Sequence, residues 1–151
     1  MRAGTPAEGP RRMAPRALAA LLAMALGGGA GLAETNSGRY RFEGNKWLSL
    51  DLTVADVHAD VIRFEWPATL LRMKTGYKAT VKVANGSARQ ARIGIALVLY
   101  DAEARPVGVG TTGTKLGTVD PGDAAEFSIS FDHVTERLEQ ATQFHLVLEV
   151  R

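Results

Sequence analysis

The chain has 151 residues, a formal net charge of +2 and a sequence pI near 9.2. It contains no cysteine, which excludes disulfides, thiolate metal sites, a thiol nucleophile and a lipid-modified N-terminal cysteine. This length suits one domain with a hydrophobic core of its own.

The first 33 residues have the pattern of a secretory signal peptide. Arginines at positions 2, 11, 12 and 16 give a positive start, and the apolar stretch 17–26 is too short to span a bilayer as a stable helix. Gly31 and Ala33 place small residues before a cleavage site, so we expect cleavage after Ala33. The pattern predicts a periplasmic or extracellular protein, and Arg11-Arg12 leaves both the general secretory and the twin-arginine routes open.

Removal of this leader changes the charge of the chain. Residues 34–151 carry 14 basic and 15 acidic side chains, a net charge of −1. Because positive and negative side chains are interspersed, we expect no basic surface whose electrostatic field would attract phosphates, and nucleic acid is not an expected partner. No later apolar stretch reaches about 18 residues, so we predict no membrane insertion after cleavage.

After the leader, residues 34–46 are polar and predict a flexible segment that leads into a domain spanning residues 47–151. From residue 47 onward, apolar side chains recur at every second position, which is the period of a β-strand. The predicted strands are 47–54, 61–66, 77–83, 93–100, 127–131 and 144–150. Strand 93–100 is apolar or small on both faces and is therefore the expected central strand.

Turn residues separate these strands. Pro67 ends one run because it has no amide donor, and Asn85-Gly86 and Asp120-Pro121-Gly122 predict turns. Glycines at 108, 110, 113 and 117 predict two short strands with a bend or bulge between them. Lys78, Lys82 and these glycines are expected to protect the exposed sheet edges.

Between residues 132 and 141 the apolar period becomes helical. Val134, Leu138 and Ala141 follow one another at spacings of four and three, so we expect a short helical crossover near residues 133–141. Seven or eight short strands without a long helix predict an all-β, two-sheet antiparallel sandwich.

One part of the chain is similar to a known family. The stretch Val81-Lys82-Val83-Ala84-Asn85, followed by Leu97-Val98-Leu99-Tyr100-Asp101, resembles the FxLYD-type bacterial immunoglobulin-like domain. Asp120-Pro121-Gly122 and Phe127 fit the third element of that family, and Leu97 stands where the family has Phe. The resemblance covers about residues 77–131. It implies an immunoglobulin-like accessory or interaction module outside the cytoplasm, and it brings no catalytic residues.

Two sets of residues could in principle carry chemistry. Asp56, His58 and Asp60 alternate and could bind a metal, but transition-metal sites recruit more His or Cys, so a solvated turn at 56–60 is the favoured interpretation. A hydrolase triad could combine a serine, an aspartate and a histidine near the end of one strand: Ser128 or Ser130, Asp132 and His133. No Gly-x-Ser-x-Gly elbow accompanies them.

Three loops resemble ligand-binding loops, but for each of them a role without a ligand is favoured. The glycines of 108–113 lack the Lys-Ser/Thr ending of a phosphate-binding loop. The acidic pairs Asp101/Glu103 and Asp120/Asp123 offer few of the six to eight oxygens that Ca²⁺ takes, so solvated turns are favoured.

We therefore expect a non-catalytic binding or structural module without cofactor or metal, which engages a protein or envelope component through a sheet face or edge. The candidate surface comprises Trp47, Arg63, Glu65 and Tyr40. Trp47 lies on the face of its strand opposite to that of Leu48 and should be exposed, whereas Trp66 should belong to the core.

Two alternatives remain open: a carbohydrate-binding accessory module that uses Trp47 and Tyr40, and a small metal-dependent or serine hydrolase built around His58 or His133.

Overall fold

The computed structural model describes residues 32–66, the backbone of residues 69–70 and 73–74, and residues 76–131 and 137–151. Eight strands form two four-stranded antiparallel sheets. Sheet A consists, in spatial order, of β1 (Glu34–Arg41), β10 (Gln143–Val150), β7 (Ile93–Tyr100) and β8 (Pro106–Gly113). Sheet B consists of β2 (Trp47–Val54), β3 (Val57–Glu65), β6 (Lys78–Asn85) and β9 (Ala124–Ser130). A small hairpin, β4 (Thr69–Leu70) and β5 (Met73–Lys74), connects β3 to β6.

This architecture confirms the predicted all-β, two-sheet antiparallel sandwich. Strand β6 pairs with β9 in sheet B, and β7 pairs with β10 in sheet A, although other strands separate each pair along the chain. Immunoglobulin-like sandwiches, whose strands are conventionally lettered A to G along the chain, have the same kind of pairing: the second strand pairs with the fifth in one sheet, and the third pairs with the sixth in the other. The chain therefore crosses between the two sheets after β1, after β6, after β8 and after β9.

The core lies between the two sheets and is built from alternate residues of each strand. Along β7, Ile93, Ile95, Leu97 and Leu99 are buried, and the residues between them are half-exposed. Strand β7 has a neighbour on each side, which confirms that it is a central strand. Its second face points out of the sandwich and is only half-covered.

Residues 34–41 are not the flexible segment that their polar sequence predicts. They form β1, which pairs with β10 from Glu34↔Val150 to Arg41↔Gln143. The strand lies at an edge of sheet A, and only its residues Gly38 and Tyr40 are half-buried, so it lacks the alternating apolar signal. The compact unit accordingly runs over Leu32–Arg151 and not from residue 47.

Strands β2 and β3 are joined by a turn of two residues, Ala55 and Asp56, whose φ angles are 46° and 63°. Two successive positive φ angles are the signature of a type I′ hairpin turn. The predicted solvated turn at 56–60 is thus wrong beyond Asp56, because β3 already begins at Val57. Asp60 is exposed and lies where the register of β3 against β6 shifts.

The glycine-rich stretch forms one strand, β8, and not the two short strands predicted. The predicted bulge is present where β8 passes Leu99 and Tyr100 of β7. A Cβ atom at Gly110 would collide with Ile129 and with the carbonyl oxygen of Ser130 on β9. Glycine is required there because the two sheets approach each other closely at this corner.

The helical crossover predicted near 133–141 is, within the described residues, a single 3₁₀ turn at Leu138–Gln140. Residues 132–136 lie outside the described residues. Leu138 is fully buried, so the spacing that predicted a helix reflects a core contact. No helix in the described part of the chain is long and apolar enough to cross a membrane.

Candidate binding surface

Three of the four predicted surface residues lie together on the outer face of sheet B. Trp47 of β2 pairs in register with Arg63 of β3, and Glu65 follows Arg63 on the same face of that strand. Lys82 of β6 lies one strand further across the sheet. We call the surface formed by Trp47, Arg63, Glu65, Lys82 and Glu126 the Trp47 face.

Two cations lie against the indole ring of Trp47. The Lys82 Nζ is 4.8 Å from the ring centroid and the Arg63 Cζ is 6.0 Å from it. Lys82 also forms an ion pair with Glu126 at 2.9 Å, and the Arg63 Nε lies 3.9 Å from a carboxylate oxygen of Glu65. Trp47 nevertheless remains 42 % exposed. Cation–π contacts therefore hold a large aromatic side chain in place on the surface.

Tyr40 is not part of this surface. It lies on β1 of sheet A, and its ring stacks on buried Phe144 with a centroid distance of 5.1 Å. A Cβ atom at Gly38 would collide with the Tyr40 ring, so glycine lets the ring fold along the strand. Burial, and then the nearby Asp51 carboxylate, raise the pKa of Tyr40. A sugar platform made from Trp47 and Tyr40 is consequently not assembled.

An aromatic cluster at one end of the sandwich was largely missed by the sequence patterns. From Tyr40 and Phe144 it continues through Phe64, Phe42 and Trp66 to Tyr77, with successive centroid distances of 4.6 to 5.4 Å. Trp66 is half-buried and packs against the core, as predicted for it. Phe42 was not predicted as a core residue because it lies outside every strand and so takes no part in an alternating apolar pattern. The cluster fills this end of the sandwich.

The Asp101 carboxylate is the most heavily bonded acidic group in the described residues. One oxygen accepts the amide hydrogens of Glu103 and Arg105, at 3.1 and 2.9 Å. The other accepts from Arg105 Nε at 2.8 Å and from Arg137 Nη2 at 2.9 Å. The Asp101 side chain is 3 % exposed, so the predicted solvated turn is wrong at this residue. Asp101 joins the loop between β7 and β8 to the segment that precedes β10.

Asn85 has a similar structural role at the other end of the sandwich. Its side-chain amide donates to the carbonyl oxygens of Arg89 and Val119, at 2.8 and 2.9 Å, and its oxygen accepts from the Ser87 amide and hydroxyl. Gly122 N donates to the Asn85 carbonyl oxygen at 2.7 Å. Two elements of the family resemblance, the Asn85 turn and the Asp120-Pro121-Gly122 turn, are thus bonded to each other. Both act as structural links here.

The residues of the proposed enzymatic alternatives do not converge within the described part of the chain. His58 is exposed, and its Nδ1 lies 3.0 Å from the Thr53 hydroxyl. Ser128 and Ser130 are exposed on β9, and their predicted partners Asp132 and His133 lie outside the described residues. Among the described residues no group of three or more His, Cys, Asp or Glu side chains is placed to hold a metal ion.

The fold and this surface together define a β-sandwich with a polar outer sheet face on which two cations contact one exposed aromatic side chain. The sequence matches no protein-family model and no curated protein.

Proposed function

We propose that this protein is an exported, non-catalytic binding module, whose outer face of sheet B contacts a protein of the cell envelope or of the extracellular space. The observation that carries the proposal is the exposed Trp47 indole, which is contacted by both Lys82 and Arg63. The partial resemblance to FxLYD-type domains supports the same kind of role.

A fixed indole is well suited to anchor a protein partner. Trp and Arg, together with Tyr, are the residues enriched among those that dominate protein–protein binding energy. Because the cations already restrict the ring, less side-chain entropy is lost when a partner covers it. Exposed Ser49 of β2 and half-buried Thr80, which pairs in register with Arg63, supply polar groups for a rim.

A protein partner is favoured over a sugar by the position of Lys82. A sugar stacks with its C–H groups on the flat face of an aromatic ring, and the Lys82 ammonium lies 4.8 Å from the centre of that ring. A sugar that stacks on the face occupied by Lys82 would have to displace this cation, which is also paired with Glu126. A protein partner can instead contact the indole and use the adjoining charges.

The first test is quantitative capture of partners from an envelope extract by the immobilised protein. Trp47→Ala is expected to weaken binding of the captured partner by roughly 30-fold or more, the range for a residue that anchors an interface. Leu116→Ala is the matched control, because Leu116 is a 96 % exposed apolar residue outside the Trp47 face. Equal capture by wild type and Trp47→Ala, or capture of nothing by wild type, would argue strongly against the proposal.

The Lys82→Ala variant separates the protein partner from the sugar. For a protein partner, binding falls, because the indole loses a contact that fixes it. For a sugar, binding on a glycan array persists or increases, because the ring face is uncovered. Glycan binding that Trp47→Ala abolishes and Lys82→Ala preserves would replace the protein partner by a carbohydrate.

Export is supported by the position at which the fold begins. Leu32 is 90 % exposed, Ala33 is exposed, and β1 starts at Glu34, the residue that follows the expected cleavage site. Cleavage after Ala33 would therefore leave every described strand intact.

Expression of the full sequence in a bacterial host is expected to give a processed protein whose first residue is Glu34, measured by intact mass and N-terminal sequencing. Ala33→Arg is expected to block processing, because the peptidase requires a small residue there, whereas Leu32→Ala should be processed normally. A protein that keeps residues 1–33 and stays in the cytoplasm would overturn the proposed location.

A further inference from the structure

The four edge strands of the sandwich differ in how they are protected against pairing with another chain. Edges are commonly protected by charged side chains, proline or bulges. Strands β1, β2 and β9 each carry charged residues, among them Arg39, Asp51 and Glu126. Strand β8 has no charged residue from Val107 to Thr114. The lysines predicted to protect an edge, Lys78 and Lys82, lie on β6, which is an interior strand.

Strand β8 presents free backbone groups along this uncharged edge. Within the described residues its only hydrogen-bonded neighbour is β7. Thr114 N donates to the Ile93 carbonyl oxygen at 2.9 Å, so this pair is a hydrogen-bonded one. Hydrogen-bonded and non-bonded pairs alternate along an antiparallel ladder. The N–H and C=O groups of Val109, Thr111 and Gly113 therefore point away from β7.

We propose that β8 pairs antiparallel with β8 of a second copy of this chain, which makes sheet A continuous across a dimer. The register that uses all three free residues places the two-fold axis at Thr111. Thr111 then lies opposite Thr111 of the second copy, and Val109 lies opposite Gly113 of the second copy. Each of these pairs exchanges two backbone hydrogen bonds.

The composition of β8 suits pairing with itself. Around a two-fold axis a charged residue would come close to its own copy, and this stretch has none. Thr–Thr pairs across antiparallel strands are favourable, and Val109, which is 45 % exposed, becomes covered. Pro106 and the neighbouring bulge limit pairing at the start of the strand.

The area of such an edge contact is small, so the dimer is weak. Contacts that bury less than about 1,200 Å² are typically transient, and we expect a dissociation constant on the order of 100 µM. The Trp47 face lies on sheet B and takes no part in this contact. Failure of the dimer would therefore leave the proposed partner-binding face untouched.

The test measures the mass of the purified protein against its concentration by analytical ultracentrifugation. Wild type is expected to pass from monomer to dimer, and Thr111→Lys to remain a monomer because two lysines would face each other across the axis. Ser37→Lys is the matched control: Ser37, Val147, Ala96 and Thr111 form one row across sheet A, with Ser37 at the opposite edge. It is expected to dimerise like wild type.

An equimolar mixture of Thr111→Lys and Thr111→Glu is expected to dimerise again, although each variant alone does not. This rescue excludes misfolding as the reason for the monomers.

Because the chain has no cysteine, Thr111→Cys should also form a disulfide-linked dimer on mild oxidation well before Ser37→Cys does. A wild type that stays monomeric at about 1 mM, well above the expected dissociation constant, would overturn the proposal. So would a Thr111→Lys protein that dimerises as Ser37→Lys does.

Discussion

Leu97→Asp is expected to prevent folding. Leu97 is fully buried in the middle of β7, an interior strand of sheet A. A carboxylate placed there is removed from water among aliphatic side chains, at a cost on the order of 5 kcal/mol or more. A cost of this size is comparable with the whole free energy of unfolding of a small domain. Circular dichroism should show loss of the β-sheet signal and of the cooperative thermal transition.

Two variants separate the charge from other effects. Val98→Asp places the same carboxylate one residue further along β7, on the half-exposed outer face, and is expected to fold with a small loss of stability. Leu97→Ala leaves a cavity without a charge and should cost about 2–5 kcal/mol while retaining a cooperative transition. A soluble, cooperatively melting Leu97→Asp protein would show that β7 does not face the core as described.

Asp101→Asn is expected to lower the melting temperature by about 10 °C or more, measured by calorimetry at neutral pH. The substitution keeps the size of the side chain but replaces one accepting oxygen by an NH₂ donor. In either orientation of the amide this donor faces other donors, namely the guanidinium groups of Arg105 and Arg137 or the backbone N–H groups of Glu103 and Arg105. Only the carboxylate is buried, whereas Arg105 and Arg137 are 54 % and 43 % exposed, so the loss comes from the hydrogen bonds broken at the buried Asp101 position.

The same carboxylate makes the stability depend on pH. Burial alone would raise the pKa of Asp101, but the hydrogen bonds from Arg105 outweigh burial and hold it below the ordinary value of 3.8. A carboxyl group with a lower pKa in the folded state stabilises the fold above its unfolded pKa. This contribution is lost as the pH falls from about 4 through the folded value.

Wild type should therefore lose stability below pH 4 more steeply than Asp101→Asn, so that the two melting temperatures converge in acid. Asp60→Asn is the control, because Asp60 is an exposed carboxylate on β3. Its melting temperature should follow that of wild type throughout. Parallel curves for wild type and Asp101→Asn would mean that the Asp101 pKa is not lowered by folding.

The residues that the sequence predicted well are those whose burial alternates along the chain. Ile62 and Phe64, and the odd-numbered residues of β7, are buried because an interior strand exposes every second side chain to the core. The same alternation placed Trp47 outside. It did not predict the Asp101 network, because the two arginines that bond it lie four and 36 residues further along the chain.

By itself, then, the sequence determined the fold class, the core faces of the main strands and the exposure of Trp47, since these depend on the spacing of neighbouring residues. Tertiary structure decided that polar residues 34–41 form β1, because they gain their backbone hydrogen bonds from β10, more than a hundred positions later. It likewise set Lys82 against Trp47, directed Tyr40 toward Phe144 and left β8 at an edge. Each of these depends on which strands become neighbours, and local periodicity carries no information about that pairing.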